Sequence, residues 1–176
     1  MFIFSKELLM ASEDLHGFYE WTTPGTYYFT LKQRVKARIA IVGGGGHSLN
    51  IMGYGAYAGA GGSAFVGKAY LNAGTYTVVV GANHDDGSNN YVNVDSTLTI
   101  NDVQLINAET ANVLQQREVK VSRSLEVVYG SVEVEAGGNQ PTNNYTVGGA
   151  SLYNGWGKGA DVNMNNCTNG YFSIEW

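Results

Sequence analysis

The sequence predicts an all-β protein, an antiparallel β-sandwich of jelly-roll type with glycine-rich loops. Beyond residue 20 the apolar residues recur with a period of two, which is the periodicity of half-buried strands. Turn residues interrupt these segments at intervals of about 8–12 residues, as is typical of sandwiches and barrels. The composition agrees, because 24 Gly, 17 Asn and 12 Tyr accompany only 14% charged residues.

A single domain accounts for all 176 residues. A chain of this length buries roughly 70% of the surface that it exposes when unfolded, so its core is self-sufficient without disulfides. No shift in composition marks a boundary along the chain. We therefore interpret residues 1–176 as one sandwich domain, with an N-terminal segment over 1–19 and glycine-rich loops over 43–62 and 137–159.

The N-terminal segment is compatible with two structures. Residues 5–15 can form one short helix, whereas residues 2–4 suit a strand equally well. A turn at Pro24 and Gly25 then introduces a strand over 27–31.

The next strand, 34–42, has the clearest alternation, with apolar residues on one face and cations (Lys32, Arg34, Lys36, Arg38) on the other. We interpret the cations as the solvated face of an antiparallel strand. Alternatively, they pair across the sheet with Glu133 and Glu135, where each opposite-charge pair adds a few tenths of a kcal/mol. Two carboxylates on one strand face also suit glycoside hydrolysis, although a solvated face explains them better.

The remaining strands follow the same pattern, at 64–71, 75–80, 97–100, 103–107, 113–121, 125–135 and 171–176. Between the strands at 97–100 and 103–107, Asn101 and Asp102 tolerate the positive φ angles of a tight hairpin turn. The sequence therefore predicts a hairpin there.

A glycine cluster follows the strand 34–42, in the stretch VGGGGHSLNIMGYGAYAGAGGSAFVG (42–67). A cluster in this position suggests a phosphate-binding loop. A dinucleotide fingerprint needs G-x-G-x-x-G at the start of a helix. Ser48 replaces the third glycine in one frame and Leu49 replaces it in the other. Each further glycine would cost a helix interior roughly 1 kcal/mol. We expect a non-helical loop, no nucleotide and no cofactor.

Metal binding has weak support. Asp85 and Asp86 follow His84, precede a glycine and lie among asparagines, so this turn can offer oxygen ligands to Ca²⁺, but an ordinary polar turn is the better interpretation. Cys167 is the one cysteine in the chain, which argues against a cysteine-based zinc site.

Other function classes are disfavoured by charge and spacing. The net charge of −5 argues against nucleic acid, because phosphate binding relies on clusters of Lys and Arg. No stretch approaches the ~18 apolar residues of a membrane span. The three histidines lie far apart and in no catalytic motif, so we expect no enzymatic activity.

The order of the motifs resembles that of the glycine-rich domains in bacteriophage tail-fibre and adhesin proteins. The chain has TTPGTYYFT, KARIAIVGGGG, GGSAFVGKAYLNAGTYTVVVGA, NGWGKGADVN and NGYFSIEW in that order, covering roughly residues 20–82 and 148–176. The resemblance implies a non-catalytic virion protein, made in the host cytoplasm, that contacts host-surface glycan or protein. It also implies contacts with other tail proteins, and a homotrimer as one arrangement.

From this resemblance we expect short glycine segments, between 43–62 and 148–159, to pack on each other. Glycine permits the positive φ angles of tight loops. Tyr and Asn in such loops make adaptable recognition surfaces, as in antibodies. The candidate binding residues are Tyr54, Tyr57, Asn144, Tyr145, Tyr153, Asn154 and Trp156. Packing within the sheets is instead expected for Tyr27, Tyr76 and Tyr171. A free-standing carbohydrate-binding module and a polysaccharide-degrading enzyme are the alternative functions.

Overall fold

The structure is a computed structural model that describes residues 16–47, 49–51, 55–57, 59–85, 91–111, 118–133, 155–158 and 167–176. Within these residues the chain forms two antiparallel five-stranded sheets and two short hairpins, with no helix. The predicted all-β sandwich is therefore confirmed. The predicted helix over 5–15 and the alternative strand over 2–4 lie outside the described residues, whereas the end of the N-terminal segment, 16–19, is described.

The first sheet contains β1 (Phe18–Trp21), β3 (Val35–Val42), β6 (Ala64–Leu71), β13 (Glu126–Glu133) and β14 (Tyr171–Glu175). Its strand order is β1-β14-β3-β6-β13. The second sheet contains β2 (Gly25–Leu31), β7 (Gly74–Val80), β10 (Ser96–Ile100), β11 (Val103–Ala108) and β12 (Val119–Val121). Its order is β12-β11-β10-β7-β2. The short hairpins are β4 (Leu49–Ile51) with β5 (Gly55–Tyr57), and β8 (Asn83–Asp85) with β9 (Tyr91–Asn93).

A long hairpin bends from one sheet to the other and gives the sandwich its jelly-roll character. Its inner strands β3 and β6 pair in the first sheet, while its outer strands β2 and β7 pair in the second. Strand β2 leads into β3, and β6 leads into β7, so the two pairs of strands stack face to face. The last strand, β14, then inserts between β1 and β3.

The core lies between the two sheets and is built by alternate residues of each strand. In β3, Ala37, Ile39 and Ile41 face inward and are fully buried, whereas Lys36 and Arg38 face solvent. The second sheet contributes Phe29, Tyr76, Val78, Leu98 and Ile106 to the same cluster. The alternation predicted for 34–42 is therefore confirmed.

Stacked aromatic rings fill the side of the sandwich where the edge strands β1 and β2 meet. Trp21 lies between Tyr19 and Tyr27, with ring centroids 5.3 and 5.0 Å apart. Phe29 stacks on Tyr76 at 4.9 Å, and Phe172 contacts both Trp21 and Phe29. The expectation that Tyr27 and Tyr76 pack within the sandwich is confirmed.

The predicted hairpin between β10 and β11 is also confirmed. Asn101 and Asp102 have φ angles of 47° and 61°, and the flanking residues Ile100 and Val103 are partners across the two strands. Two positive φ angles in succession make a turn whose twist matches that of the strands. By contrast, the predicted strand over 113–121 is described only as β12, since 112–117 lie outside the described residues.

Candidate functional site

Four segments meet at one end of the sandwich, which we call the glycine end: 43–47, 59–63, 155–158 and 167–170. They are joined by backbone hydrogen bonds, although they do not belong to either large sheet. Gly43 N donates to Ser63 O and Gly46 N to Ala60 O, both at 2.8 Å. Gly62 N donates to Gly157 O at 2.8 Å, which connects the two glycine-rich regions of the sequence. The expected packing of the regions is therefore confirmed for these residues.

Close approach of backbones explains the glycines at 43, 59 and 62. A Cβ on Gly62 would overlap the carbonyl of Gly43, and one on Gly59 would overlap that of Gly46. None of the three glycines has a φ in the left-handed region, so the expectation that φ > 0 explains such glycines is wrong here. Gly157 differs, because its φ is 71° and a Cβ would also lie 2.8 Å from Gly43 O.

Small buried hydroxyls satisfy the backbone beneath the glycine end. Thr110 Oγ1 accepts from Gly44 N at 3.0 Å and donates to Val94 O at 2.6 Å. Ser96 Oγ accepts from Gly81 N at 2.9 Å. Both side chains are almost fully buried. A buried amide without a partner destabilises a fold, so these hydroxyls hold the end in one arrangement.

Trp156 is the predicted binding residue whose side chain the structure describes. Its ring is half-buried and stacks on Tyr171 at 5.7 Å. Tyr171 is buried and donates from its hydroxyl to Glu20 Oε1 at 2.6 Å, so the expectation that Tyr171 packs on the sheet is confirmed. Both rings cover the small outward residues Val42 and Ala64.

The side chains of the other six predicted binding residues lie outside the described part of the structure. Tyr57 ends strand β5 and its backbone pairs with Leu49, but its side-chain environment is outside the description. Five more lie outside the described residues, namely Tyr54, Asn144, Tyr145, Tyr153 and Asn154.

The weak metal candidates fall partly within β8. His84 and Asp85 pair through their backbones with Val92 and Tyr91, while Asp86 lies outside the described residues. Within the described part of the chain, no three His, Cys, Asp or Glu side chains are grouped so that they could hold a metal ion.

A cysteine and a histidine also meet at the glycine end. Cys167 Sγ lies 3.6 Å from Nδ1 and 3.9 Å from Nε2 of buried His47. Similar distances to both nitrogens place the sulfur against the ring and not in line with one lone pair. Burial raises the pKa of the Cys167 thiol, whereas an activated nucleophile needs a lowered one. The pair is therefore a packing contact.

We expect Cys167 to react slowly with thiol reagents in the folded protein. Its raised pKa leaves less thiolate at pH 8 than an exposed cysteine has, and only the thiolate reacts. Labelling with a disulfide reagent should be slower than that of a short cysteine peptide, and equal to it in denaturant. Faster labelling in the folded state would show that the thiol is activated.

A cleft of about 210 Å³ opens at the other end of the sandwich, between the sheets. Its walls are mainly apolar, with Asn72, Asn101 and Ser124 as polar members and Tyr70, Leu71, Tyr76, Ile100, Val103, Leu105 and Leu125 as the others. The hydroxyl of Tyr76 donates to Asn72 O at 2.8 Å. Burial raises the pKa of Tyr76 to about 12.

We expect this tyrosine to make the protein less stable at alkaline pH. The unfolded chain releases the Tyr76 proton near its ordinary pKa of 10.0, but the folded chain keeps it to about 12. The free energy of unfolding that this difference in pKa contributes is thus complete below pH 10 and is lost as pH rises to about 12. The free energy of unfolding should fall more steeply over this range for the native protein than for Tyr76→Phe, as measured by urea denaturation. Parallel curves would contradict the assignment.

The outer face of the first sheet carries most of the cations predicted on strand 34–42. Lys36 and Arg38 are exposed, and the Arg34 guanidinium lies 4.3 Å from the centre of the Tyr70 ring. Arg34 also forms an ion pair with Glu126 at 2.5 Å. The proposed pairing with Glu133 is wrong for Arg34, because the backbone of Glu133 lies opposite Ala64, at the glycine end.

Lys68 extends this cationic row on the neighbouring strand. It lies directly opposite Arg38 in the register of β3 and β6, and its ammonium is 6.0 Å from the centre of the exposed Tyr129 ring. Lys68, Tyr70 and Tyr129 were not predicted as members of this face. They meet the cations of β3 through cross-strand register, which joins residues that are some 30–90 positions apart in the chain. Their alternation with apolar residues was the available signal.

No protein-family model, no curated protein and no solved structure matches this chain. The described residues include no helix that is long and apolar enough to cross a membrane.

Proposed function

We propose that this chain is a non-catalytic domain of a bacteriophage tail fibre or related adhesin, which contacts host-surface glycan or protein through the glycine end. The observation that carries the proposal is the backbone-to-backbone packing of 43–47, 59–63 and 155–158. This packing is what the motif order of the tail-fibre domains implies. It fixes these described segments relative to one another.

A rigid end suits recognition, because loops that are already ordered lose little entropy on binding. Trp156 supplies an aromatic surface at this end, and the Tyr171 ring beneath it holds the indole in place. Half-buried aromatic residues of this kind supply much of the affinity in binding surfaces. The glycines around it are the scaffold, and their own backbone groups bond to one another.

Binding to arrayed bacterial surface polysaccharides and to whole cells tests the proposal. Trp156→Ala should weaken binding at least about tenfold, which is the size of an aromatic contact at the centre of an interface. Tyr28→Ala serves as the control, since Tyr28 is exposed on the second sheet, away from the glycine end. Equal binding by Trp156→Ala and the native protein would contradict the proposed contact surface.

Immunogold labelling of purified virions tests the proposed location. Label at the tail tip supports a fibre or adhesin role, and virions without label would refute it. Light scattering adds the assembly state, because a trimeric mass agrees with a fibre.

A free-standing carbohydrate-binding module is the second candidate, and the outer face of the second sheet favours it. Exposed Tyr28 lies in one row with Thr77 and Thr99, in the register of strands β2, β7 and β10. A neighbouring row contains Thr30 and Thr75, whose hydroxyls are 3.0 Å apart. None of the outward residues of these strands is charged. A flat surface of hydroxyls with an exposed ring suits a neutral glycan. In this case Tyr28→Ala, and not Trp156→Ala, weakens binding.

A further inference from the structure

We infer that the outer face of the first sheet binds an acidic polysaccharide, through a basic face composed of Arg34, Lys36, Arg38 and Lys68. The inference goes beyond the proposed function, because it adds a second contact surface and names the class of glycan that this surface binds. It assigns this contact to a different surface from the glycine end.

Charge is concentrated on this face against the overall trend of the chain. Four of the ten Lys and Arg residues lie there, although the net charge of the protein is −5. Two anions lie in the same rows of the sheet, namely Glu126 opposite Tyr70 and Glu175 opposite Arg38. The four cations therefore outnumber them. Among the described residues, Arg34 is the member of the basic face that has a carboxylate within 4.0 Å.

Arg38 lies opposite Lys68 on β6 and opposite Glu175 on β14, so it has one like charge and one opposite charge as cross-strand neighbours. Like charges directly opposite on neighbouring antiparallel strands destabilise a sheet. Lys36 adjoins them on the same face, one pleat further along β3. Glu175 offsets one of these three cations, and a bound anion would lower the repulsion that remains among them.

Aromatic rings distinguish this face from a simple basic patch. Tyr129 is 59% exposed and lies beside Lys68, and Tyr70 lies opposite Lys36 and beneath the Arg34 guanidinium. Rings that neighbour cations can stack on the apolar face of a sugar while the cations meet its acidic groups. Neighbouring strands are ~4.8 Å apart, so a row across β3, β6 and β13 spans ~10 Å, which accommodates an extended sugar chain.

The same geometry disfavours nucleic acid. A flat sheet face with four cations does not enter a groove of duplex DNA, and the net charge of −5 repels a long polyphosphate. Acidic sugars have fewer charges per length, so a small basic face can neutralise those that it contacts.

Dextran sulfate, polygalacturonate and uncharged dextran are the probes, because dextran sulfate and dextran share one backbone and polygalacturonate supplies carboxylates in place of sulfates. Binding is measured by calorimetry at low salt and at about 0.2 M salt. We expect both acidic polymers to bind, dextran not to bind, and the affinity to fall as salt rises. Binding to the sulfated polymer alone would assign the face to sulfate-type groups, and binding to both would assign it to anionic sugars generally.

Lys68→Gln and Arg38→Gln should each weaken binding up to about fivefold, the size of one exposed ion pair. Lys120→Gln is the matched control, because Lys120 pairs with Glu109 on the second sheet and its replacement changes the net charge equally. Thermal unfolding confirms that all three variants are folded. An equal loss in Lys120→Gln would refute the assigned face, as would tighter binding to duplex DNA than to either acidic polymer.

Cell binding separates this inference from the proposed function. If no acidic polymer binds but the protein still binds host cells through Trp156, the basic face is refuted and the proposed function stands. If acidic polymers bind through the basic face while Trp156→Ala has no effect on cells, the basic face stands and the glycine end is refuted as the contact surface.

Discussion

Replacement of Gly62 by alanine is expected to destabilise the protein by about 3 kcal/mol or more. The new Cβ would overlap the carbonyl of Gly43 and lie 2.6 Å from Gly44 O, both of which are backbone atoms. Backbone cannot rotate away as a flexible side chain can, so the segments 43–47 and 59–63 must separate. The hydrogen bond between these segments, from Gly43 N to Ser63 O, would be lost as they separate. Urea denaturation measures the loss.

Gly155→Ala is the informative control for this prediction. Gly155 has a φ of 90°, but an added Cβ would have nothing within 4 Å. Its replacement should therefore cost only the strain of a left-handed residue, about 1 kcal/mol. If Gly155→Ala destabilises the protein as much as Gly62→Ala does, backbone conformation and not close approach explains the glycines.

Phe172→Ala is expected to destabilise the protein by about 3–5 kcal/mol. Phe172 is fully buried and contacts Trp21 at 5.6 Å and Phe29 at 6.4 Å, so its ring joins the aromatic residues of both sheets. Truncation leaves a cavity that the surrounding rings cannot fill. Since domains are stable by only about 5–15 kcal/mol, this loss is a large share of the total.

Phe18→Ala is the control, because Phe18 is 61% exposed on the neighbouring strand β1. Its removal should change the free energy of unfolding by less than about 0.5 kcal/mol. A small effect at Phe172 would mean that β14 contributes little to the core, contrary to its position between β1 and β3.

Local patterns were sufficient to predict the fold class. The period of two located β2, β3, β6 and β7, because inward and outward residues must alternate on any strand with one buried face. The turn at Asn101 and Asp102 was predictable as well, since few residues adopt its positive φ angles. Strand β1 was not predicted, because its four residues FYEW are too few to show a period.

The candidate site was predicted less completely. Trp156 was predicted as a binding residue from its place in the glycine-rich loop 137–159 and from the family resemblance, but its support from Tyr171 depends on a strand that follows 15 positions later. The cations of 34–38 were recognised as one face of a strand. Their neighbours Lys68 and Tyr129 were not recognised, because register between strands is decided by the packing of the whole sheet.

The glycines separate what the sequence determined from what the tertiary structure decided. Their number after β3 excluded a helix, because glycine is unfavourable in helices wherever it occurs. Whether each glycine is required for a turn with positive φ or for close backbone contact depended on the segment that packs against it. Gly43 and Gly157 are 114 positions apart, yet they meet at the glycine end. Backbone preference is a property of a few neighbouring residues, whereas space for a Cβ is a property of the assembled fold.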